Sequence, residues 1–369
     1  MDTADNFARP DIQSLLAYGW NERVAALFTT FPNRIPGRVV RVDRMRYLVA
    51  TPHGQTDAFK GPHDEGSETG TPATGDWVAL AAGSDQRASV AAILPRHSVI
   101  KRLDPSVAGA RPEEQVLVAN LDVAFVVHAL DRPAQLSRLE RTLVMAWESG
   151  AIPALVLTKA DLMDGGPQGH AVREAVEAVR QIAPGVEVIA ASNVTGFGLD
   201  EVLGLMSPGM TGALIGESGS GKSTLINNLL DEQLQSTGPT RSGDGQGRHT
   251  TTSRELIVIP GRGILIDTPG LRAIGLWSGR DGLAQAFRDI ENLAADCRFA
   301  DCRHETEPGC ALQAAVNRGD LDPRRIDSHR KMEAEVAQQE HQLSVRMSRA
   351  NQRTAGRRSR PIRNDDVEE

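Results

Sequence analysis

The order of hydrophobic and polar positions along this chain changes period several times. Between Ile12 and Phe28, Leu15, Leu16, Trp20, Val24 and Leu27 recur at roughly helical spacing and predict an amphipathic packing helix. From Gly37 to about Lys101 the pattern shortens to alternating segments at 38–42, 46–50, 76–80 and 88–94. Turn signals such as Pro52-His53-Gly54 and Thr71-Pro72-Ala73-Thr74-Gly75 separate them, and this punctuation predicts a small β-barrel of the oligonucleotide-binding (OB) type. Residues 103–115 have linker composition. Beyond them, apolar runs at 116–120, 123–127, 152–157, 186–190, 212–215 and 263–266 read as strands, and 135–147 and 171–182 read as helices. Strands alternating with helices imply right-handed crossovers and a parallel sheet. Near the end, 311–318 and 327–342 read as two further helices.

Composition narrows the class. With 369 residues, 40% of them hydrophobic, the chain is long enough for two or three domains with real cores. No apolar run approaches a membrane span and Met1 to Asp5 is acidic where a signal peptide is basic, so a cytoplasmic location without membrane contact is expected. The net charge of −7 argues against a uniformly basic nucleic-acid binder. Charge is uneven, however: from Arg346 to Arg363 there are seven arginines and no acid. Basic residues also punctuate the barrel segment, at Arg38, Arg41, Arg44, Arg46, Arg96, Lys101 and Arg102. They fit either a face that follows a phosphate backbone or an ordinary solvated surface.

The candidate chemistry centres on Gly216-Glu217-Ser218-Gly219-Ser220-Gly221-Lys222-Ser223, which fits G-x-x-x-x-G-K-[ST] at every fixed position. A strand precedes it, and a helix beginning near Thr224 follows. In that setting backbone N–H groups and the helix N-terminus face phosphates, Lys222 reaches the β- and γ-phosphates, and the Ser223 hydroxyl binds Mg²⁺. Thr158-Lys159-Ala160-Asp161, at the carboxyl end of a strand, is similar to the [NT]-K-x-D guanine-reading motif. A carboxylate there accepts from guanine's N1–H and exocyclic amine together, a donor pair that adenine lacks. Ser192-Asn193-Val194-Thr195-Gly196 has the framing of the loop that closes over a guanine, with Asn193 where alanine is usual. Asp267-Thr268-Pro269-Gly270 fits D-x-x-G, whose Asp supports Mg²⁺ through water and whose Gly N–H senses the γ-phosphate.

All three cysteines lie in one short segment. Cys297, Cys302, His304 and Cys310 offer three thiolates and one imidazole, the ligand set of a closed structural zinc site. Unmetallated, reduced cysteines are the competing reading.

The base-reading motifs precede the phosphate loop, the reverse of the order in ordinary small GTPases. With the barrel in front and the cysteine segment behind, the chain from about Gly37 to about Ala350 resembles the circularly permuted GTPases that assist small ribosomal subunit assembly. That resemblance implies an α/β fold: a circularly permuted P-loop GTPase domain preceded by an OB-type β-barrel and followed by a zinc-binding helical domain. The expected divisions are an N-terminal extension 1–35, barrel 36–102, linker 103–115, GTPase domain 116–280, zinc-binding domain 281–345 and arginine-rich tail 346–369.

The resemblance also implies GTP hydrolysis to GDP stimulated by the small subunit and its rRNA, with one structural Zn²⁺ and a Mg²⁺ that accompanies GTP. It gives Thr251 to Mg²⁺ and the γ-phosphate, Thr250 being the competing choice, and makes His249 a candidate for orienting the attacking water. An exposed loop histidine is the other reading of His249. Leu271 stands where Ras-type enzymes place a glutamine, and an apolar side chain cannot orient water, so slow intrinsic hydrolysis is expected. A monomer is expected when free. The rivals are a P-loop kinase or ATPase, and a non-catalytic nucleic-acid-binding module whose nucleotide pocket is only a switch.

Overall fold

The computed structural model describes residues 12–44, 46–62, 67–68, 70–82, 88–103, 114–132, 135–236, 254–268 and 280–358. The expected amphipathic helix is two short ones, α1 (Gln13–Leu16) and α2 (Glu22–Phe28). Gly19 separates them with φ +86°, a left-handed turn that the hydrophobic period alone does not reveal. Asn21 caps α2, its side chain accepting from the Val24 N–H at 3.0 Å.

Five strands follow: β1 (Ile35–Asp43), β2 (Arg46–Thr51), β3 (Gly54–Lys60), β4 (Trp77–Ala82) and β5 (Ala88–Ile93). They pair in the order β1-β2-β3-β5-β4 and close through β1–β4, which makes a barrel. Val39, Val49, Val78, Leu80, Val90 and Ile93 fill it. The β3 strand escapes the sequence reading because its pattern is polar, with only Ala58 buried.

The residues read as a linker are flanked by β6 (Val99–Leu103) and β7 (Glu114–Ala119), which pair antiparallel as a separate ribbon. Next come β8 (Val123–Ala129), α3 (Leu136–Glu148), β9 (Ile152–Thr158), α4 (His170–Ile182), β10 (Glu187–Ala190), α5 (Leu199–Gly204), β11 (Thr211–Gly216) and α6 (Lys222–Ser236). A hairpin of β12 (Glu255–Ile259) and β13 (Gly263–Asp267) completes the sheet, whose order is β10-β9-β8-β11-β13-β12. All neighbours in it are parallel except β12 and β13.

Strand alternation sorts this sheet's side chains into two cores. Ala124, Val126, Leu155, Leu157, Ala213 and Ile215 face α3 and α4, which contribute Leu139, Leu143, Val172 and Val179. Val123, Phe125, Val127, Val156 and Leu214 face α5 and α6, which contribute Leu199, Val202, Leu225 and Leu229. Burial on both faces explains the unbroken apolar runs.

The barrel and the parallel sheet are continuous. Strands β1 and β12 pair through Arg41 and Glu255, so eleven strands form one sheet among the described residues. Buried Arg38 bonds across the junction: its Nη2 donates to Thr211 Oγ1 at 2.8 Å and to Asn120 O at 3.3 Å, and its Nη1 to Tyr18 O. Thr211 begins the strand that carries the phosphate loop.

Four helices close the chain: α7 (Arg280–Ala286), α8 (Arg288–Ala294), α9 (Ala311–Arg318) and α10 (Pro323–Arg358). Leu283, Phe287, Ile290, Leu312, Ile326, Met332 and Val336 pack together with Val144 of α3. At 36 residues α10 is about 54 Å long and extends into the arginine-rich segment. No helix among the described residues is long and apolar enough to cross a membrane.

Candidate functional site

The phosphate-binding motif leaves β11 at Gly216 and enters α6 at Lys222. At its first position nothing larger than glycine fits: a Cβ on Gly216 would lie 2.3 Å from Val127 O, because β8 runs directly beside the loop. The Lys222 Nζ donates to Gly216 O at 2.8 Å and to Glu217 O at 2.6 Å, folding the lysine over the loop it belongs to. Buried Ser220 closes the turn by donating to Glu217 O at 2.9 Å, while Ser218, Gly219, Ser223 and Thr224 are exposed. Glu217 is held from outside by Arg138, and by Arg132 at 3.5 Å.

The two base-reading segments lie against this loop. Thr158 ends β9 fully buried, and its hydroxyl donates to Ser220 O at 2.6 Å. Lys159 takes φ +60°, which turns the chain into the 3-10 turn Ala160–Leu162, and Ala160 N–H donates to Ala191 O at 3.1 Å. From the second segment, Ser192 Oγ donates to Asp161 Oδ1 at 2.6 Å and accepts from the Val194 and Thr195 N–H groups at 3.2 and 3.1 Å. Asn193 Nδ2 donates to Gly221 O at 3.2 Å. Residues 62 positions apart, Thr158 and Ser220, thus share one site at the carboxyl ends of the parallel strands, where open α/β sheets bind ligands.

Sequence reading missed Asp131, Asn228 and His128. Asp131, just past β8, pairs with Lys159 Nζ at 2.5 Å, and that ammonium holds its carboxyl below the usual range. Asn228 of α6 donates its side-chain N–H to Asn193 O. His128 is held below the ordinary histidine range by burial and then by Arg132. The signal available for Asp131 and His128 was position: both sit at the carboxyl end of a strand of the parallel sheet.

Asp267 ends β13, with Thr268 buried beside it and donating to Leu214 O. Gly270, Leu271, His249, Thr250 and Thr251 lie outside the described residues.

The second centre fits its expected ion. The ligand atoms of Cys297, Cys302, His304 and Cys310 all lie within 4.8 Å of one another. Cys297 Sγ is 4.0 Å from Cys310 Sγ and 3.5 Å from His304 Nδ1, and Cys310 Sγ is 3.6 Å from His304 Nδ1. A tetrahedral zinc with Zn–S of about 2.3 Å sets its sulfurs about 3.8 Å apart, so the donor set would close around that ion. His304 keeps φ +60°, with its carbonyl bonded by Gln313 Nε2 at 2.7 Å and Arg330 at 2.8 Å. Without a metal the thiols titrate unequally. Burial opposes ionisation at both Cys297 and Cys302, but the Ala311 N–H brings Cys297 down, while Cys302 is pushed up to about 11. A divalent cation removes that conflict by favouring every thiolate.

The barrel's basic residues do not form one open face. Arg38 is 2% exposed, and burial lowers its pKa to about 10. Arg96 is bonded to buried Asp76 at 2.6 Å. Arg41, Arg46 and Lys101 are engaged by Asp43, Asp57 and Glu114 at 3.3, 3.2 and 2.9 Å, and Arg102 donates to Gln115 at 2.9 Å. Sequence shows the charges, but not that Arg38 and Arg96 point inward to internal partners and cannot reach a phosphate backbone.

With this geometry established, known proteins give a consistent comparison. Residues 93–277 match the family described as RsgA GTPase. A small ribosomal subunit biogenesis GTPase RsgA of Streptomyces avermitilis is 46% identical, over 86% of this chain and 84% of its own length. A small ribosomal subunit biogenesis GTPase RsgA 2 of Lactiplantibacillus plantarum is 40% identical, over 88% and 90%. Two solved structures share the fold at 21% identity: YjeQ from Thermotoga maritima, TM-score 0.60 over 82% of this chain and 99% of that one, and YloQ, a circularly permuted GTPase, TM-score 0.59 over 83% and 96%. Permuted motif order, a closed barrel ahead of the nucleotide loops, a Cys3His cluster behind them and identity over most of the length agree: the chain belongs to the RsgA GTPase family.

Proposed function

We propose that the protein hydrolyses GTP to GDP and phosphate while bound to the small ribosomal subunit, and that it assists that subunit's late maturation. The names of its relatives supply the partner. The observation that carries the nucleotide reading is the direct bonding of both base-reading loops to the phosphate loop, through Thr158 to Ser220 and Asn193 to Gly221.

In this reading Asp161 accepts from guanine's N1–H and amine, with Lys159 lying along the base and Ser192 orienting the carboxylate. Residues 216–224 enclose the phosphates, and Lys222 exchanges its bonds to Gly216 O and Glu217 O for phosphate oxygens. Ser223 and Thr251 would hold Mg²⁺, with Asp267 supporting it through water; the ion's chemistry is to neutralise charge on the β- and γ-phosphates. Gly270 senses the γ-phosphate, and His249 orients the attacking water.

Residues 36–102, 116–280 and 281–345 act as barrel, GTPase and zinc-stapled helical units, and 346–369 as a basic arm toward rRNA. The protein is a monomer when free and acts in the cytoplasm. The test is phosphate release from GTP and from ATP, each with and without purified small subunits. GTP turnover should be slow alone and accelerate with subunits, and ATP turnover should stay at background. Equal turnover of both nucleotides would return the chain to the general ATPases, and binding without turnover would make it a switch module.

A further inference from the structure

We propose that Asn193 is a positioning residue for guanine recognition, whose amide ties the base-reading loops to the phosphate loop where Thr158 has no group to spare. This rests on the guanine-nucleotide reading above.

Thr158 is fully buried, and a hydroxyl has one proton to give; its short bond is to Ser220 O at 2.6 Å, and its other acceptor, His128 O at 3.3 Å, lies on β8 and not on the phosphate loop. The first base-reading loop therefore reaches one carbonyl of the phosphate loop and no further. The next carbonyl, Gly221 O, is taken from the other side, by Asn193 Nδ2 at 3.2 Å. Asn193 is itself anchored, because its own carbonyl accepts from the Asn228 side chain on α6. Immediately before it, Ser192 Oγ donates to Asp161 Oδ1 at 2.6 Å. A continuous chain of bonds thus runs from α6 and the phosphate loop, through Asn193, to the carboxylate that faces the base.

An asparagine kept here for packing alone would have both amide ends satisfied. Instead Asn193 Oδ1 is buried with no partner among the described residues. Turning the amide over would set that oxygen against the Gly221 carbonyl, so the donor must face Gly221 and the acceptor is left over. A buried unpaired acceptor is unfavourable, and the amide keeps this orientation because the flipped one would lose the bond to Gly221 and set two oxygens against each other. The alanine usual at this place has no amide to offer. A longer amide at position 158 could reach the same loop, so Asn193 and Thr158 form a compensating pair.

The experiment is equilibrium binding of GDP and a non-hydrolysable GTP analogue, with steady-state turnover on small subunits, for wild type, Asn193→Ala and Asn193→Ala/Thr158→Asn. Asn193→Ala should weaken both nucleotides about fivefold, the worth of one neutral hydrogen bond. The loss should fall on KM rather than kcat, because the tie orients the base loops and not the attacking water. Adding Thr158→Asn should restore most of the affinity. Asn193→Asp keeps the shape but replaces the donor with a carboxylate facing a carbonyl; it should be at least as weak, and it covers the case in which the alanine variant does not fold. Wild-type affinity in either folded variant would overturn the proposal, as would an Asn193→Ala loss that Thr158→Asn leaves unchanged. Failure of the guanine reading itself would look different: wild type would bind ATP as well as GTP.

Discussion

In the proposed reading Asp161 selects guanine, and its surroundings make a clean test possible. Asp161→Asn keeps an oxygen to accept the Ser192 hydroxyl, which in the wild type donates at 2.6 Å, so the loop should stay folded while an N–H now faces the base. GTP binding should weaken and xanthine nucleotides should be favoured, as read by competition titration; unchanged GTP affinity would remove Asp161 from the base site. A second residue carries stability instead of chemistry. The Arg325 side chain is 2% exposed and donates to Glu140 Oε1 at 2.9 Å, to Asp289 at 2.6 Å and to the carbonyls of Ile182 and Ala286 at 2.8 and 2.7 Å. Arg325→Ala leaves buried Glu140 without its cation and should cost about 3–5 kcal/mol in urea unfolding. A loss below about 1 kcal/mol would mean that water replaces the guanidinium. Short-range spacing made Asp161, Lys222 and the cysteines legible in the sequence. Arg325 and Glu140 stand 185 positions apart, and no local pattern announces such a pair.

At the level of elements, the parallel strands were legible because burial on both faces leaves unbroken apolar runs. The barrel was legible only in part. Polar β3 shows no alternation, and β12 passed unnoticed beside residues 235–253, whose Gly/Ser/Thr-rich composition reads as a loop. The cysteine segment was found whole, since four ligands within fourteen residues carry their own spacing. Its element-scale prediction is about one zinc per chain. Zinc can contribute on the order of 10 kcal/mol to the folding of small domains. Here Leu312, Ile326, Met332 and Val336 also pack with Phe287 and Val144, so removing the metal should not unfold the helices at once. Chelation or Cys302→Ser should raise hydrogen exchange first in residues 296–311 and leave the phosphate loop protected. A metal-free protein of equal stability, with unchanged exchange there, would contradict a structural zinc.

At the scale of the whole molecule, one sheet runs from the barrel to the nucleotide loops, and buried Arg38 bonds to the first residue of the strand that carries the phosphate loop. Because Arg38 and Arg96 face inward, substituting them should reduce stability without changing the salt dependence of RNA binding. Removing residues after Val345, by contrast, should flatten the slope of log K against log salt by about 0.7–0.9 for each RNA phosphate that the arm no longer neutralises. If the nucleotide sets the relation between barrel, GTPase and arginine-rich arm, then GTP and the small subunit must strengthen one another's binding by the same factor. The direct measurement is the affinity of the full chain for small subunits, at one fixed salt concentration, with a non-hydrolysable GTP analogue and with GDP. Tighter binding in the GTP state is the expected result; equal affinity in both states would contradict a GTPase that works through the ribosome.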